Sequence, residues 1–578
     1  YNWIGASRLA VELGNIIENG QQSEATAQFD FTKLYQKSKW LKQLEVPSNK
    51  ADQEKWRSRI TIVKDTIIKK SGRKVVKRRR IVDQTAVPYV STGLKVIGKL
   101  LTSFKQASFS ISENAHTRLP GYTDSTKIVG QNWKSMAPGI NFILGQQPDT
   151  NWLNNAARNG LITKDTTFNS VFMQSFDQRI TFSAQLEPIR DLNITLNLNK
   201  TFNKNYTETF RYIDTSGGTN HRYNHLNPYT GGGFDVSYIA FKTLFGKFDP
   251  NRVSQTFIKF QDYRKILSQR LGTANKYNIV NGLLTPDAEG YYFGYGKYAI
   301  DVLIPAFVAA YTGEDPTKVS LIRQNNPNIK SNPFRGIKPK LNWKLDYNGL
   351  TKIKGLDKIF TNFNISHGYT GNLSMNGFTS ALLYQDVSQY GYPSFYDTLS
   401  KNYIPYFLLP NISIGEQFSP LIGLNMDFTN QVQAKFEYSK SRQLSLSLID
   451  YQLSEVRSTE FSFGAGYRKR GLKLLAGLKL PKFLNKDGGN KLDNEINFRI
   501  DFRIRDNVTA NSRLDQDNNF ATGGSRDITI SPSVDYFLNN RINIKLYFDQ
   551  RRVNPYISSS APIVNTRAGL QVRISLTQ

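Results

Sequence analysis

The feature that most constrains the fold is an alternation of apolar and polar residues that recurs along the chain. It is strictest in residues 492–505, LDNEINFRIDFRIR, and it returns several times within residues 431–480. Successive side chains of a β-strand point to opposite faces, so each such segment predicts a strand with one apolar and one polar face. Short polar links, such as residues 188–191 and 440–443, favour hairpins between neighbouring strands. The sequence therefore predicts an antiparallel, all-β fold.

The charges on the polar face decide which solvent that face meets. In residues 492–505 the polar positions include Asp493, Glu495, Arg499, Asp501 and Arg503. A dry core of a β-sandwich would desolvate these groups at high cost, whereas a water-filled lumen would not. The chain has 39% hydrophobic residues, a mean hydropathy of −0.46 and no apolar run long enough for a transmembrane helix, and alternating barrel strands are compatible with all three.

We therefore expect a very large antiparallel transmembrane β-barrel with short helical or loop insertions. The residues predicted to face the lumen are Gln433, Lys435, Glu437, Arg499, Asp501 and Arg503. The residues predicted to face lipid are Ala434, Phe436, Tyr438, Phe498, Ile500 and Phe502.

The chain divides into three regions by the period of its apolar residues. Residues 1–239 and 336–578 carry the strand pattern, whereas residues 240–335 contain a helical period after a predicted N-cap at Asp249 and the apolar run 302–311. We expect this middle region to be an insertion in the lumen or at a barrel mouth that gates the channel or docks a partner. A packed cap that only stabilises the barrel is the alternative. The gating or docking candidates are Phe257, Phe260, Ile304, Phe307 and Val308.

Sites of other kinds are weakly indicated. The net charge is +29 and residues 69–80 are strongly basic, but no nucleic-acid motif accompanies them, so a solvated basic loop is the preferred interpretation over a phosphate or headgroup contact. His221 and His225 are four residues apart beside the glycines 231–233, and solvated loop histidines are preferred over metal ligands. The chain has no cysteine. We predict no enzyme activity, no catalytic residue, no metal and no cofactor.

Seven blocks of the sequence resemble the SprA/Sov family, the outer-membrane translocon of the type IX secretion system in Bacteroidota. They are YNWIGAS, RLPGY, YAIDVLIPAFVAAYTG, LNWKLDYNGL, EQFSPLIGLNMDF, YQLSEVRSTEFSFGAGY and NPYISSSAPIVNTRAGLQVRISLTQ. Family members are far longer, so the resemblance implies the C-terminal part of such a chain, which we expect not to close a barrel alone.

The resemblance also implies a function and partners. The family passes folded cargo proteins from the periplasm to the cell surface, and in some members this is linked to gliding motility. The implied partners are a PorV-type shuttle barrel, a periplasmic plug protein, cargo with C-terminal secretion domains, the periplasmic motor complex and the lipid bilayer, without nucleic acid. Two alternatives stay open: another outer-membrane transporter or porin-like barrel, and a surface β-protein for adhesion or carbohydrate binding.

Overall fold

The computed structural model describes residues 1–7, 11–38, 41, 60–68, 74–82, 92–149, 151–213, 222–246, 248–249, 252–322, 328–471, 495–515, 519–539, 542–556 and 560–575. The strands are β1 Asn2–Ile4, β2 Asn15–Asp30, β3 Ile60–Ile68, β4 Lys74–Val82, β5 Phe104–Tyr122, β6 Phe172–Leu186, β7 Leu192–Ile213, β8 Arg222–Ser237, β9 Asn342–Tyr347, β10 Phe360–Ser380, β11 Tyr396–Asp397, β12 Asn402–Tyr403, β13 Phe407–Leu408, β14 Asn411–Phe428, β15 Val432–Ser447, β16 Gln452–Arg470, β17 Glu495–Arg513, β18 Asn519–Asn539, β19 Ile542–Pro555 and β20 Ile563–Ile574. The α-helices are α1 Phe31–Gln36, α2 Thr92–Leu101, α3 Ile140–Ile143, α4 Trp152–Arg158, α5 Gln255–Ala274, α6 Lys276–Val280 and α7 Ile300–Thr312.

One antiparallel sheet of 16 strands, called the wall below, dominates the structure and confirms the all-β prediction. Its strands follow the order β1-β2-β5-β6-β7-β8-β10-β14-β15-β16-β17-β18-β19-β20, with β9 and β13 joined to β10. From β5 to β8 and from β14 to β20, every strand pairs with its successor along the chain, as an antiparallel meander requires. In the part of the chain that the structure describes, β1 and β20 end this path and do not pair with each other.

Short and long links occur at both ends of the wall. The turns β6–β7 and β14–β15, residues 187–191 and 429–431, lie at one end and are called the short turns below, and the long links 31–103 and 471–494 lie at the same end. The opposite end carries the long links 123–171 and 381–410 and the short link 448–451. Strand β20 ends on the side of the short turns, because it runs in the same direction as β18 and β14.

The middle region is inserted within one strand position of the wall. Strands β8 and β9 both lie between β7 and β10 and run in the same direction, one beyond the other. The chain leaves the wall after Ser237 and returns at Asn342, and residues 238–341 are called the insertion below. Hydrogen bonds close the break: Lys340 N donates to Ser237 O at 2.8 Å, and Gly371 N donates to Asn342 Oδ1 at 2.9 Å.

The insertion folds around two helices. Helix α5 begins after Ser254, whose hydroxyl accepts a hydrogen bond from Phe257 N, so Asp249 is not the N-cap that the sequence indicated. Helix α7 includes the whole apolar run 302–311, and every residue from Asp301 to Thr312 is buried. It ends at Gly313 with φ +70°, a conformation that glycine adopts without steric cost.

Three local predictions were wrong. Residues 440–443 are not a turn, because β15 continues through them to Ser447. His225 and the glycines 231–233 lie in strand β8 and not in a loop. A Cβ on Gly232 would lie 2.2 Å from Asn203 O and 2.6 Å from the Phe378 ring, so the glycine reflects close packing inside the wall.

The basic cluster also differs from the predicted loop in the part that is described. Its residues 74–80 belong to β4, which pairs with β3 in a separate hairpin. Residues 69–73 of the predicted basic loop lie outside the described residues, as does His221.

Candidate functional site

The two faces of the wall differ in chemistry along a common register. One row of directly paired residues crosses six neighbouring strands and is entirely apolar: Ile365, Leu424, Phe436, Phe463, Phe502 and Ile530. The adjacent row points to the other side and consists of Asn364, Asn425, Lys435, Gly464, Asp501 and Ser531. We call the side of Phe436 the apolar face and the side of Lys435 the polar face.

The predicted sets of residues separate cleanly between these faces. Strands β15, β16 and β17 pair without a break over the relevant residues, so alternation alone determines the sides. Ala434, Phe436, Tyr438, Phe498, Ile500 and Phe502 lie on the apolar face. Gln433, Lys435, Glu437, Arg499, Asp501 and Arg503 lie on the polar face.

Part of the apolar face is exposed and forms a continuous band next to the short turns. Phe498 and Ile500 are 44% and 43% exposed, and Leu570 is 66% exposed. The apolar band, as used below, comprises Phe109, Ile111, Ile180, Phe182, Leu196, Leu198, Ile365, Leu424, Ala434, Phe436, Tyr438, Phe461, Phe463, Phe498, Ile500, Phe502, Ile504, Ile528, Ile530, Leu546, Leu570 and Val572. An exposed apolar surface this large normally marks contact with lipid or another protein.

The polar face carries charges of both signs in exposed pairs. Lys435 Nζ lies 2.8 Å from Glu437 Oε1, and Arg499 Nε lies 2.6 Å from Asp501 Oδ2. These pairs are partly exposed, so each contributes at most about 1 kcal/mol to stability. They are suited to a surface that remains wet.

A polar cavity of about 690 Å³ lies on this face at the break between β8 and β9. Ser237 and Asn342, the two residues at the break, contribute to its lining together with Asp235, Asn372 and Arg505. The cavity therefore lies on the opposite side of the wall from the helices of the insertion.

The insertion covers the apolar face beyond the band. Phe234, Val236, Leu373, Ile414 and Leu444 of the wall form one buried core with helices α5 and α7. Leu444 and Phe436 share a face of the unbroken strand β15, so the insertion packs on the same side as the band.

The five gating or docking candidates form the interior of that core. Phe257, Phe260, Ile304, Phe307 and Val308 are all at most 2% exposed, and the Phe260 and Phe307 rings lie 6.0 Å apart. Side chains buried to this degree offer no free surface to a partner in this conformation, and their role in gating or docking stays a prediction. This arrangement resembles the predicted alternative of a packed cap.

Four charged residues form an ionic cluster where the band meets the insertion: Arg442, Glu416, Glu455 and Arg457. The Arg442 guanidinium is fully buried, forms an ion pair with Glu416, and has Nη1 4.0 Å from Glu455 Oε1. Arg457 Nε donates to Glu455 Oε1 at 2.6 Å. Burying such charges is favourable only when each finds partners of good geometry.

The ionic cluster binds the first residues of the insertion to the wall. Arg442 Nη2 donates to Ala240 O at 3.3 Å and to Thr243 Oγ1 at 2.8 Å. Arg457 Nη1 donates to Leu244 O at 3.2 Å. Sequence reasoning missed this cluster. Arg442 is separated from Phe436 and Tyr438 by an even number of positions along β15, so the alternation could have placed it on the apolar face.

Among the described histidines, His225 contacts a buried carboxylate. His225 Nδ1 lies 2.6 Å from Oε2 of Glu208, whose side chain is 2% exposed. Among the described residues, no group of three or more His, Cys, Asp or Glu side chains could hold a metal ion.

Comparisons with known proteins leave the function open. Neither the models of known protein families nor the curated proteins give a match to this chain. Within the described ranges, no helix combines the length and the apolar character required to cross a membrane.

Proposed function

We propose that the wall is part of an outer-membrane β-barrel whose apolar band contacts lipid and whose polar face lines a water-filled channel. The single observation that carries this proposal is the band itself: one row of apolar residues crosses six strands, and charged or polar residues occupy the other side. A wall between lipid and water requires this two-sided pattern.

The length of the alternation supports a bilayer as the partner of the band. From Ile496 to Ile504 the apolar positions of β17 alternate with polar ones, and this segment extends about 26 Å along the strand at about 3.3 Å per residue. A barrel strand that crosses a membrane needs about 9–11 residues when it is tilted by about 45°, and the segment 496–504 meets this length.

A soluble β-protein is less consistent with the same surface. Such a protein would cover its apolar face with a second layer, as the insertion covers Leu373 and Leu444. The band instead leaves Phe498, Ile500 and Leu546 between 43% and 56% exposed. Lipid would remove this surface from water.

We further propose that the channel conducts proteins, as a translocon of the type IX secretion system does. This part rests on the resemblance of the seven sequence blocks to the SprA/Sov family. The proposed cargo is a folded protein with a C-terminal secretion domain, and the proposed partners are the shuttle barrel, the plug, and the motor complex. The polar face, with exposed charges of both signs, would keep cargo hydrated without binding it tightly.

Vesicle flotation tests the membrane part of the proposal. The protein in membrane vesicles from the cells that express it is expected to float with them after an alkaline wash. Phe436→Arg places a charge in the band and should lose much of this flotation, because a midplane Arg costs about 2–4 kcal/mol on the lipid face of a barrel. Gln433→Arg places the same charge on the polar face of the same strand and should float normally. Equal behaviour of the two variants would contradict the assignment of the faces.

Photo-crosslinking in secreting cells tests the conduction of protein. A crosslinking residue at Arg503 should capture cargo in transit, whereas one at Phe502 should capture lipid and not cargo. Normal flotation without cargo at Arg503 or at any other polar-face position would favour another kind of outer-membrane transporter.

A further inference from the structure

A lysine lies at the margin of the apolar band without a carboxylate of its own. Lys440 follows Phe436 and Tyr438 on the same face of β15, so its stem continues the apolar surface towards the insertion. In the described part of the chain, no carboxylate forms an ion pair with Lys440 within 4 Å. The Lys440 ammonium instead lies 5.0 Å from the centre of the Phe245 ring. An aliphatic stem along apolar surface and an ammonium over an aromatic ring suit a long cationic side chain at a membrane interface.

The charges around Lys440 leave a local excess of positive charge. Its charged neighbours are Arg457, Arg442 and Glu416. Glu416 is already paired with Arg442, and Glu455 with Arg457, so the negative charges are satisfied inside the ionic cluster. The charge of Lys440 is therefore available to an anion from outside the protein.

The surroundings of Lys440 combine this charge with an exposed aromatic ring. Phe245 is 51% exposed and its ring centre lies 5.6 Å from that of Phe418. Aromatic and basic side chains concentrate at the level of lipid headgroups, where one end of a group meets hydrocarbon and the other meets water.

We propose that Lys440, beside the exposed Phe245 ring, binds the headgroup phosphate of an anionic membrane lipid whose acyl chains lie along the apolar band. The inference rests on the proposed function, because it requires the band to contact a bilayer. The phosphate accepts from the Lys440 ammonium, and the acyl chains cover Tyr438 and Phe436 directly below it. The positive charge of Arg457 strengthens the attraction without a direct contact.

The test measures lipid retention by the full chain in detergent micelles, using native mass spectrometry. Phosphatidylglycerol is the anionic probe, phosphatidylcholine the zwitterionic one, and inorganic phosphate the free-ion control. Lys440→Gln should weaken phosphatidylglycerol binding about fivefold, the change expected for one cation near a headgroup. Lys440→Arg should restore it. Lys435→Gln removes the same charge from the polar face of the same strand and should leave binding unchanged.

The outcomes separate this inference from the proposed function. Equal losses for Lys440→Gln and Lys435→Gln, or no loss for either, would overturn the site while vesicle flotation still supports the membrane wall. If inorganic phosphate binds as tightly as phosphatidylglycerol, the site binds a free ion and the proposal of a lipid ligand is wrong. Failure of the unchanged chain to float would remove both proposals. An unchanged urea midpoint for Lys440→Gln shows that the variant is folded.

Discussion

Replacing Arg442 by Met should destabilise the junction between the wall and the insertion by about 3–5 kcal/mol, the usual cost of removing one partner of a buried ion pair. The change deletes the only cation paired with Glu416 among the described residues, and the Glu416 side chain is fully buried. It also removes the hydrogen bonds to Ala240 O and Thr243 Oγ1. Glu455 keeps Arg457 as a partner, so the loss centres on Glu416.

Two further variants make this prediction specific. Arg499→Met makes the same replacement at an exposed ion pair on the polar face and should lower the free energy of unfolding by at most about 1 kcal/mol. The double change Arg442→Met and Glu416→Gln should be more stable than Arg442→Met alone, because no uncompensated carboxylate remains buried.

Urea unfolding of the full chain in micelles measures these free energies. Limited proteolysis adds a local readout, since the link from residue 238 to residue 246 should be cut faster in Arg442→Met than in Arg499→Met. Equal destabilisation by Arg442→Met and Arg499→Met would refute the reasoning. A double variant less stable than Arg442→Met would refute it as well.

Three other predictions concern packing and titration. Gly232→Ala should destabilise the wall by about 1–3 kcal/mol in urea unfolding, because its Cβ would overlap Asn203 O, whereas Gly523→Ala, whose Cβ meets its nearest neighbour at 4.0 Å, should be nearly neutral. Phe307→Ala should cost about 3–5 kcal/mol by the same measurement, and a smaller effect would show that the insertion core relaxes around the lost ring. Burial raises the pKa of the Tyr311 phenol above its ordinary value of 10.0. The unfolded state therefore releases this proton first, and the free energy of unfolding should fall as pH rises above about 10. Tyr311→Phe should flatten that fall, and an unchanged slope would show that the phenol does not contribute to it.

Much of the wall was predictable because the alternation of apolar and polar residues is visible within each strand's own sequence. Residues 178–199 give a hairpin with its turn at 188–191, and β6 and β7 confirm both. The alternation in 431–439 and 495–505 assigned residues to opposite faces, and the pairing of β15 with β16 and of β16 with β17 agrees. These features need only the side chains of the strand itself.

The errors arose where distant residues determine the structure. Lys440 and Arg442 look like a polar turn because their partners are outside the local sequence: Glu416 lies on β14, and Phe245 lies in the insertion. The glycines of β8 look like a loop because the Phe378 ring that requires Gly232 belongs to β10. Sequence period alone cannot reveal such contacts.

The insertion was recognised by its change of period, but not by its place in the wall. The helical period after residue 249 predicted helix α5, and the apolar run 302–311 predicted a buried segment, which is helix α7. Strands β8 and β9 share one strand position because both pair with β7 and β10. No local sequence pattern encodes this pairing. The burial of the predicted gating or docking candidates likewise depends on the wall beneath them, and their role stays a prediction.

Single-cysteine labelling tests the central claim, that the wall separates lipid from water, most directly. The chain has no cysteine, so each introduced thiol is unique. In vesicles, cysteines replacing Phe436, Phe498 and Phe502 should react with a membrane-soluble reagent and be quenched by labelled lipid. Cysteines replacing Lys435, Arg499 and Arg503 should react with a small aqueous thiol reagent. A reversed pattern, or equal reactivity of the two sets, would contradict the account.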